Sequence, residues 1–325
     1  AIRTYRQAEA LARELHDADA SAKARTGMAN GELDCGRLMS AIALLESVHD
    51  DLQRATGPGP DALAAQAHGL HGRILLYRGQ AADGNRQLQA ALHRLPSDQD
   101  DLRCHLLVDL ARIEALQHHY PTALKTLQRV EQNQAARALP RVRLRLHLYR
   151  GQVRAVLGDD EAAQDLRFAV DEAERLSLPA YAGRATLFLA ERQFWRRRDD
   201  EARHTFARAA AMAHAGGDRL GEAMARAYLL RLGANDPDLA ALVESLELPS
   251  VRCNWILAQD PSTPLDEARR SELEALLAET DLPLSLHLRA LERLERPASA
   301  RSLARTIAER VPSRSSRQRF LATWG

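Results

Sequence analysis

Four basic residues, Arg143, His147, Arg150 and Arg154, follow one another at spacings of four, three and four, which places them on one face of a helix. A stripe of this kind meets phosphates, and the run Arg196-Arg197-Arg198 beside Phe194 and Trp195 adds rings on which unstacked bases rest. RNA or another polyanion is therefore the alternative ligand. The simpler expectation is that at least one of Phe194 and Trp195 belongs to the core, and that a charge run at a helix end complements the helix dipole. His68 and His71 are three apart and His118 and His119 are adjacent. Neither pair has the His-Glu-x-x-His pattern that gives a zinc site its general base. Cys104 and His105 are neighbours and point about 100° apart on a helix, so they make no nucleophile and base. The Gly-x-x-x-x-Gly-Lys-Ser/Thr loop, the Gly-x-Ser-x-Gly elbow and the Gly-x-Gly-x-x-Gly turn are all absent. No catalytic residue, metal site or cofactor is expected, and the chain reads as a binder rather than an enzyme.

The chain has 325 residues, 45% hydrophobic and 27% charged, with a net charge of +1. That is the composition of an ordinary folded protein, and it is too near neutral for overall charge to select nucleic acid. Only 4% of the residues are aromatic, few for a globular core of this length, which makes repetition the first thing to test. Lys23 and Lys125 are the only lysines, so arginine supplies nearly all the positive charge, as coding bias in a GC-rich genome produces. Cys35, Cys104 and Cys253 are far apart. They form neither a disulfide framework nor a zinc site and read as small buried apolar residues. No apolar run approaches the roughly 18 residues that span a bilayer and no leader opens the sequence; a soluble, cytoplasmic protein is expected.

Leu102, Leu106, Leu107, Leu110, Ile113 and Leu116 recur at three or four residues, as do Leu124, Leu127 and Val130, giving two helices joined at His118 to Pro121. The pattern returns at 144–157 and 162–176, and again at 181–195 and 202–214. No segment of that region alternates with period two, so the fold class is all-α. Aligned on the small residue after each turn, Ala1, Ala41, Gly84, Ala123, Ala162 and Ala202 fall at intervals of 40, 43, 39, 39 and 40, the longest containing the loop Gly57-Pro58-Gly59-Pro60. Tyr5, Leu45, Leu88, Leu127, Leu166 and Phe206 follow four residues later. Ala8, Val48, Ala91, Val130, Ala169 and Ala209 come three after those. Small side chains let antiparallel helices approach, and the large one fills the gap between neighbouring pairs.

Gly72, Leu75, Gly79, Gly84, Leu88, Ala91 and Pro96 stand at the spacing of the tetratricopeptide repeat, and Gly151, Gly158, Leu166 and Ala169 repeat much of it. Over residues 1 to 245 the chain resembles that family. The period near 40, against 34 in the family, implies longer helices. The resemblance implies a right-handed superhelical solenoid of helix pairs, which needs finished ends. Ala1 sits at a turn position, so a preceding helix, and other domains before it, are expected in a longer parent protein. After Asp236 prolines at 249, 261, 264, 283, 297 and 312 break the pattern into short amphipathic stretches. The expected division is a repeat array over 1–247 and an irregular helical cap over 248–325, with Phe320, Leu321 and Trp324 docking back onto the solenoid.

In the family this chain resembles, the first helix of each pair lines the inner surface. The residue after the small position of each first helix is Asn30, Arg73, Arg112, Gln152 and Arg192. A second inward row, six residues before that position, holds Lys23, Gln66, His105, Arg145 and Ala185. Lys23, Asn30, Arg73, His105, Arg112, Arg145, Gln152 and Arg192 are thus the expected groove residues, and their guanidinium forks suit carboxylates. A Lys and Asn clamp for a C-terminal carboxylate is not expected, because Gly27, Leu70, Asp109, Tyr149 and Leu189 occupy the row where Asn is wanted. The resemblance implies a protein or peptide partner, taken as an extended acidic segment. It also implies a place in a larger regulator, for example downstream of a bacterial kinase or a nucleotide-binding switch. The third possibility is a lid or assembly surface for domains of the parent chain itself. Nucleic acid and membrane are not expected as partners.

Overall fold

The computed structural model describes residues 2–34, 37–54, 60–246, 248–259 and 264–324, and every regular element among them is a helix. Of the positions singled out above, Ala1, Cys35, Gly57, Pro58, Gly59 and Pro261 lie outside the described residues. Helix α1 (Ile2–Glu14) is followed by the pairs α2 (Ala18–Asp34) with α3 (Leu38–Arg54), α4 (Pro60–Tyr77) with α5 (Ala81–Arg94), and α6 (Asp100–Leu116) with α7 (Tyr120–Gln132). After the short α8 (Gln134–Ala138) come α9 (Pro140–Val156) with α10 (Ala162–Arg175), then α11 (Pro179–Trp195) with α12 (Asp199–Gly216). The remainder is α13 (Arg219–Arg231), α14 (Leu239–Glu244), α15 (Pro249–Ala258), α16 (Glu267–Glu279), α17 (Leu284–Arg293), α18 (Pro297–Glu309) and α19 (Arg314–Trp324). Proline opens α9, α11, α15 and α18 at the first turn, where its fixed φ suits a helix and its lost N–H bonds nothing.

The repeated small and large positions are the packing contacts. A Cβ on Gly72 of α4 would lie 2.8 Å from Leu88 and 3.1 Å from the Gly84 carbonyl of α5, and one on Gly151 of α9 would lie 2.7 Å from Leu166 of α10. Leu88, Leu127, Leu166 and Phe206 are fully buried, each contributing about 1.5–3 kcal/mol of transfer free energy. Helix α1 departs from this pattern: Tyr5 is 41% exposed and Ala8 is exposed. The Tyr5 ring rests on Gly27 of α2, but α1 packs chiefly along that one helix, so its large and small positions are not enclosed from a second side.

The first helices α2, α4, α6, α9, α11 and α13 stack in succession and present one continuous inner face. Four hairpins turn through a left-handed residue, at Gly79, His118, Gly158 and Arg197, with φ of +70°, +61°, +70° and +59°. The C-terminal helices return along these turns. His287 meets the His118 ring edge-on with centroids 5.9 Å apart. The backbone of Arg319 lies 3.2 Å from where a Cβ on Gly158 would sit. Phe320 is fully buried, Leu321 and Trp324 pack on the same core, and Trp324 Nε1 donates to the Val156 carbonyl at 2.8 Å.

Candidate ligand groove

The stacked first helices and the returning C-terminal segment frame a cavity of about 190 Å³ that opens to solvent. Tyr77 of α4, Arg112 of α6, Tyr149 and Gln152 of α9, and Arg184 and Glu191 of α11 line it, while Asp281 and Ser285 close it from the far side. Arg112 is held by its neighbours rather than by solvent. Its guanidinium carbon lies 4.5 Å from the Tyr149 ring centroid and 5.4 Å from that of Tyr77, a cation–π arrangement. Nη1 donates to Asp109 at 3.0 Å and Nη2 to the Tyr77 hydroxyl at 3.3 Å.

Asp109 is the organising carboxylate. Oδ1 also accepts from Arg145 Nη2 at 2.6 Å, and Arg73 Nε approaches to 3.8 Å. Burial pushes the Asp109 carboxyl up, but Arg145, Arg73 and Arg112 outweigh it and hold the pKa at about 2. His105 Nδ1 lies 2.9 Å from Arg145 Nη1. Burial, seconded by Arg145, lowers its pKa to about 4, so the ring is neutral and its Nδ1 accepts. Arg73 Nη1 in turn donates to Asn30 Oδ1 at 2.6 Å. Asn30, Arg73, His105, Arg112 and Arg145 therefore form one connected network in which Arg112 and Arg145 share a single carboxylate.

The other expected groove residues separate from that network. Gln152 lines the groove directly. Lys23 is exposed and pairs with Asp19 on its own helix. Arg192 donates to Asp160 at 3.3 Å beside Arg196, which reaches the same oxygen at 2.6 Å, placing it at the turn edge. Arg184 and Glu191 are among the groove residues that were not expected from the sequence. Arg184 stands one position before Ala185 of the second inward row and donates to the fully buried Asp218 at 2.8 Å. Glu191 stands at the first-helix position that Ala29, Gly72, Ala111 and Gly151 hold in the other repeats. Burial raises its carboxyl to about 8, and nearby Tyr228 and Arg231 offset this only in part.

The basic stripe of α9 is engaged within its own hairpin. His147, Arg150 and Arg154 all converge on Asp165 of α10, at 2.8, 2.7 and 2.6 Å, and Arg143 meets Glu172 at 2.6 Å. Asp165 is consequently held at about 2, its burial outweighed by these hydrogen bonds and charges. Phe194 is core, edge-on to Phe206 and Tyr228, and Trp195 meets the Trp324 ring at 5.0 Å between centroids. Among the described residues no group of three or more His, Cys, Asp or Glu is placed to hold a metal ion, and no helix is long and apolar enough to cross a membrane.

This architecture is a tetratricopeptide-like helical-hairpin solenoid wrapped around a ligand-sized groove. No protein-family model matches the sequence and no curated protein matches it. Among solved structures, the chain is similar to a Rap protein complexed with competence and sporulation factor, at 15% identity and a TM-score of 0.66 over 99% of this chain and 96% of that one. It is also similar to the apo form of RapI, at 14% identity and a TM-score of 0.49, covering 88% and 99% of the two chains. Rap proteins are tetratricopeptide-like helical-repeat proteins; at these identities the likeness is one of fold.

Proposed function

We propose that this chain is a non-enzymatic protein- or peptide-binding domain of a cytoplasmic regulator, and that its groove takes an extended acidic segment. The carrying observation is Arg112, which lines the groove between two tyrosine rings while sharing Asp109 with Arg145. One carboxylate for two guanidinium groups leaves positive charge in a low-dielectric wall, where an incoming carboxylate gains most. A related fold complexed with competence and sporulation factor supports ligand capture by such a solenoid. In this reading residues 1–247 supply the array, and the helices from 248 onward act as a cap that closes the groove. The polyanion alternative is less favoured, because the stripe meets Asp165 and Glu172 in its own hairpin.

The test is calorimetric titration with synthetic extended peptides of matched length, acidic, neutral and basic. Acidic peptides should bind, and Arg112→Ala should weaken them by about 1.5 to 3 kcal/mol, the range for a hydrogen bond to a charged group. Equal affinity for basic peptides, or an unaltered affinity in Arg112→Ala, would remove the proposal.

A further inference from the structure

Many of the buried and half-buried arginines among the described residues are matched to carboxylates. Arg112 and Arg145 have Asp109, Arg150 and Arg154 have Asp165, Arg184 has Asp218, and Arg226 has Asp236. Arg231 at the end of α13 and Arg289 in α17 are two that are not, and they meet on one ring. Both are only partly exposed, and both lie against Phe194 of α11, their guanidinium carbons 5.0 and 4.8 Å from its centroid. Among the described residues neither forms an ion pair. Arg231 donates from Nη1 to Asn254 Oδ1 at 3.4 Å and also lies over the Tyr228 ring, 5.1 Å from its centroid, and among the described residues Arg289 forms no hydrogen bond. Glu191, Asp199 and Glu292 act on the pair through space without reaching ion-pair distance. Burial first, then Arg289, lowers Arg231 to about 10, and burial, helped by Arg197, lowers Arg289 as well.

Two like charges held against one ring, each with donors to spare, attract an oxyanion. A carboxylate has two oxygens in one plane and a single negative charge, and although it can accept from two arginines, as Asp109 and Asp165 do here, it neutralises only one of them. A phosphoryl group has three terminal oxygens and accepts from two separate forks at once, which matches two arginines on different helices. We propose that Arg231 and Arg289, seated on Phe194, form a phosphoryl-binding site separate from the groove. None of the three residues lines the groove, so the site stands independently of the acidic-segment reading. Because Arg289 belongs to α17, an occupied site ties the C-terminal helices to α11 and α13.

The site is tested on the full chain by thermal unfolding and calorimetry in chloride at fixed ionic strength, titrating inorganic phosphate, O-phospho-L-serine and acetate. The expected result is a saturable rise in Tm with phosphate, with acetate at least about tenfold weaker. Binding should fall at least about tenfold in R231Q/R289Q and stay unaltered in R112Q, which separates this site from the groove. Tighter phosphoserine than phosphate identifies a phosphorylated side chain as the source, and equal affinities identify free phosphate. If R231Q/R289Q loses its helical circular dichroism, R289Q alone decides, since Arg289 makes no hydrogen bond whose loss would unfold the chain. No saturable binding, equal binding of acetate, or undiminished phosphate binding in the folded variant would overturn the proposal.

Discussion

Asp281 and Gly79 are bonded to one another through the backbone, the Asp281 N–H donating to the Gly79 carbonyl at 2.7 Å. The Asp281 carboxylate then accepts from the N–H of Ala81, 200 residues away in sequence, at 2.9 Å, so one residue holds both sides of the α4–α5 turn. Further along, His287 meets His118 and Arg319 meets Gly158. The C-terminal segment thus rests on the left-handed turn residue of three successive hairpins. Asp281, Leu284 and Ser285 line the groove, so these contacts close one of its edges.

Gly79→Ala should be costly for two separable reasons. Its φ of +70° strains any L side chain, and the new Cβ would lie 2.9 Å from the Asp281 carbonyl oxygen and 2.8 Å from Thr280 Cβ. Gly233 has a φ of +88° and nothing within 4 Å of a Cβ, so Gly233→Ala carries backbone strain alone, about 1 to 2 kcal/mol. Urea unfolding should place Gly79→Ala about 1 to 2 kcal/mol below that control, with faster amide exchange over 281–324. Equal stability of the two variants would mean that the turn and the C-terminal segment are not in firm contact.

Asp109→Asn should be among the most destabilising single changes, because Arg112 and Arg145 lose their shared counter-charge inside the protein. Removing one partner of a buried pair costs about 3 to 5 kcal/mol. The pH dependence has a fixed sign. The pKa of Asp109 falls from 3.8 to about 2, as does that of Asp165, so their stabilisation is full above pH 4 and is lost as pH falls through about 2. Acid unfolding curves of Asp109→Asn should be flatter over that interval than those of the parent. A variant with the parent's slope would show that Asp109 is not tied to these arginines.

Helix spacing, hairpin turns and the small-and-large contacts at Gly72, Leu88, Gly151 and Leu166 were all legible in the sequence, because each depends on residues near one another along the chain. The groove was legible as rows of positions but not as a circuit. Along the chain Asp109 is only the residue that replaces Asn in a clamp row, and its grip on Arg73, Arg112 and Arg145 depends on how α4, α6 and α9 stack. Arg184 carries no local signal, because its partner, Asp218, lies 34 residues on, at the start of another hairpin. Nor does any local pattern announce that Asp281 meets Gly79, since neither periodicity nor turn chemistry carries information across 200 residues.

Cys104 and Cys253 should resist alkylation in the folded protein. Burial pushes the first thiol up to about 11 and the second to about 12, leaving almost no thiolate at pH 8. Iodoacetamide at pH 8 followed by peptide mass mapping should leave both unmodified until urea is added. Rapid labelling of either without denaturant would contradict the packing of α6 or α15.

Glu191→Gln should stabilise the protein increasingly as pH rises. The folded-state pKa is raised from 4.5 to about 8, so the carboxyl's contribution is intact below pH 4.5 and is lost progressively as pH rises through 8, where the unfolded chain ionises more readily than the folded one. Glutamine keeps the size and removes the titration. The stability difference between variant and parent, read from urea midpoints, should therefore be smallest near pH 4.5 and grow up to about pH 8, beyond which it levels off. A difference independent of pH would mean that Glu191 is ionised in the folded state and finds a cation. In that event the groove would carry a negative charge opposite Arg112, and its preference for acidic segments would weaken accordingly.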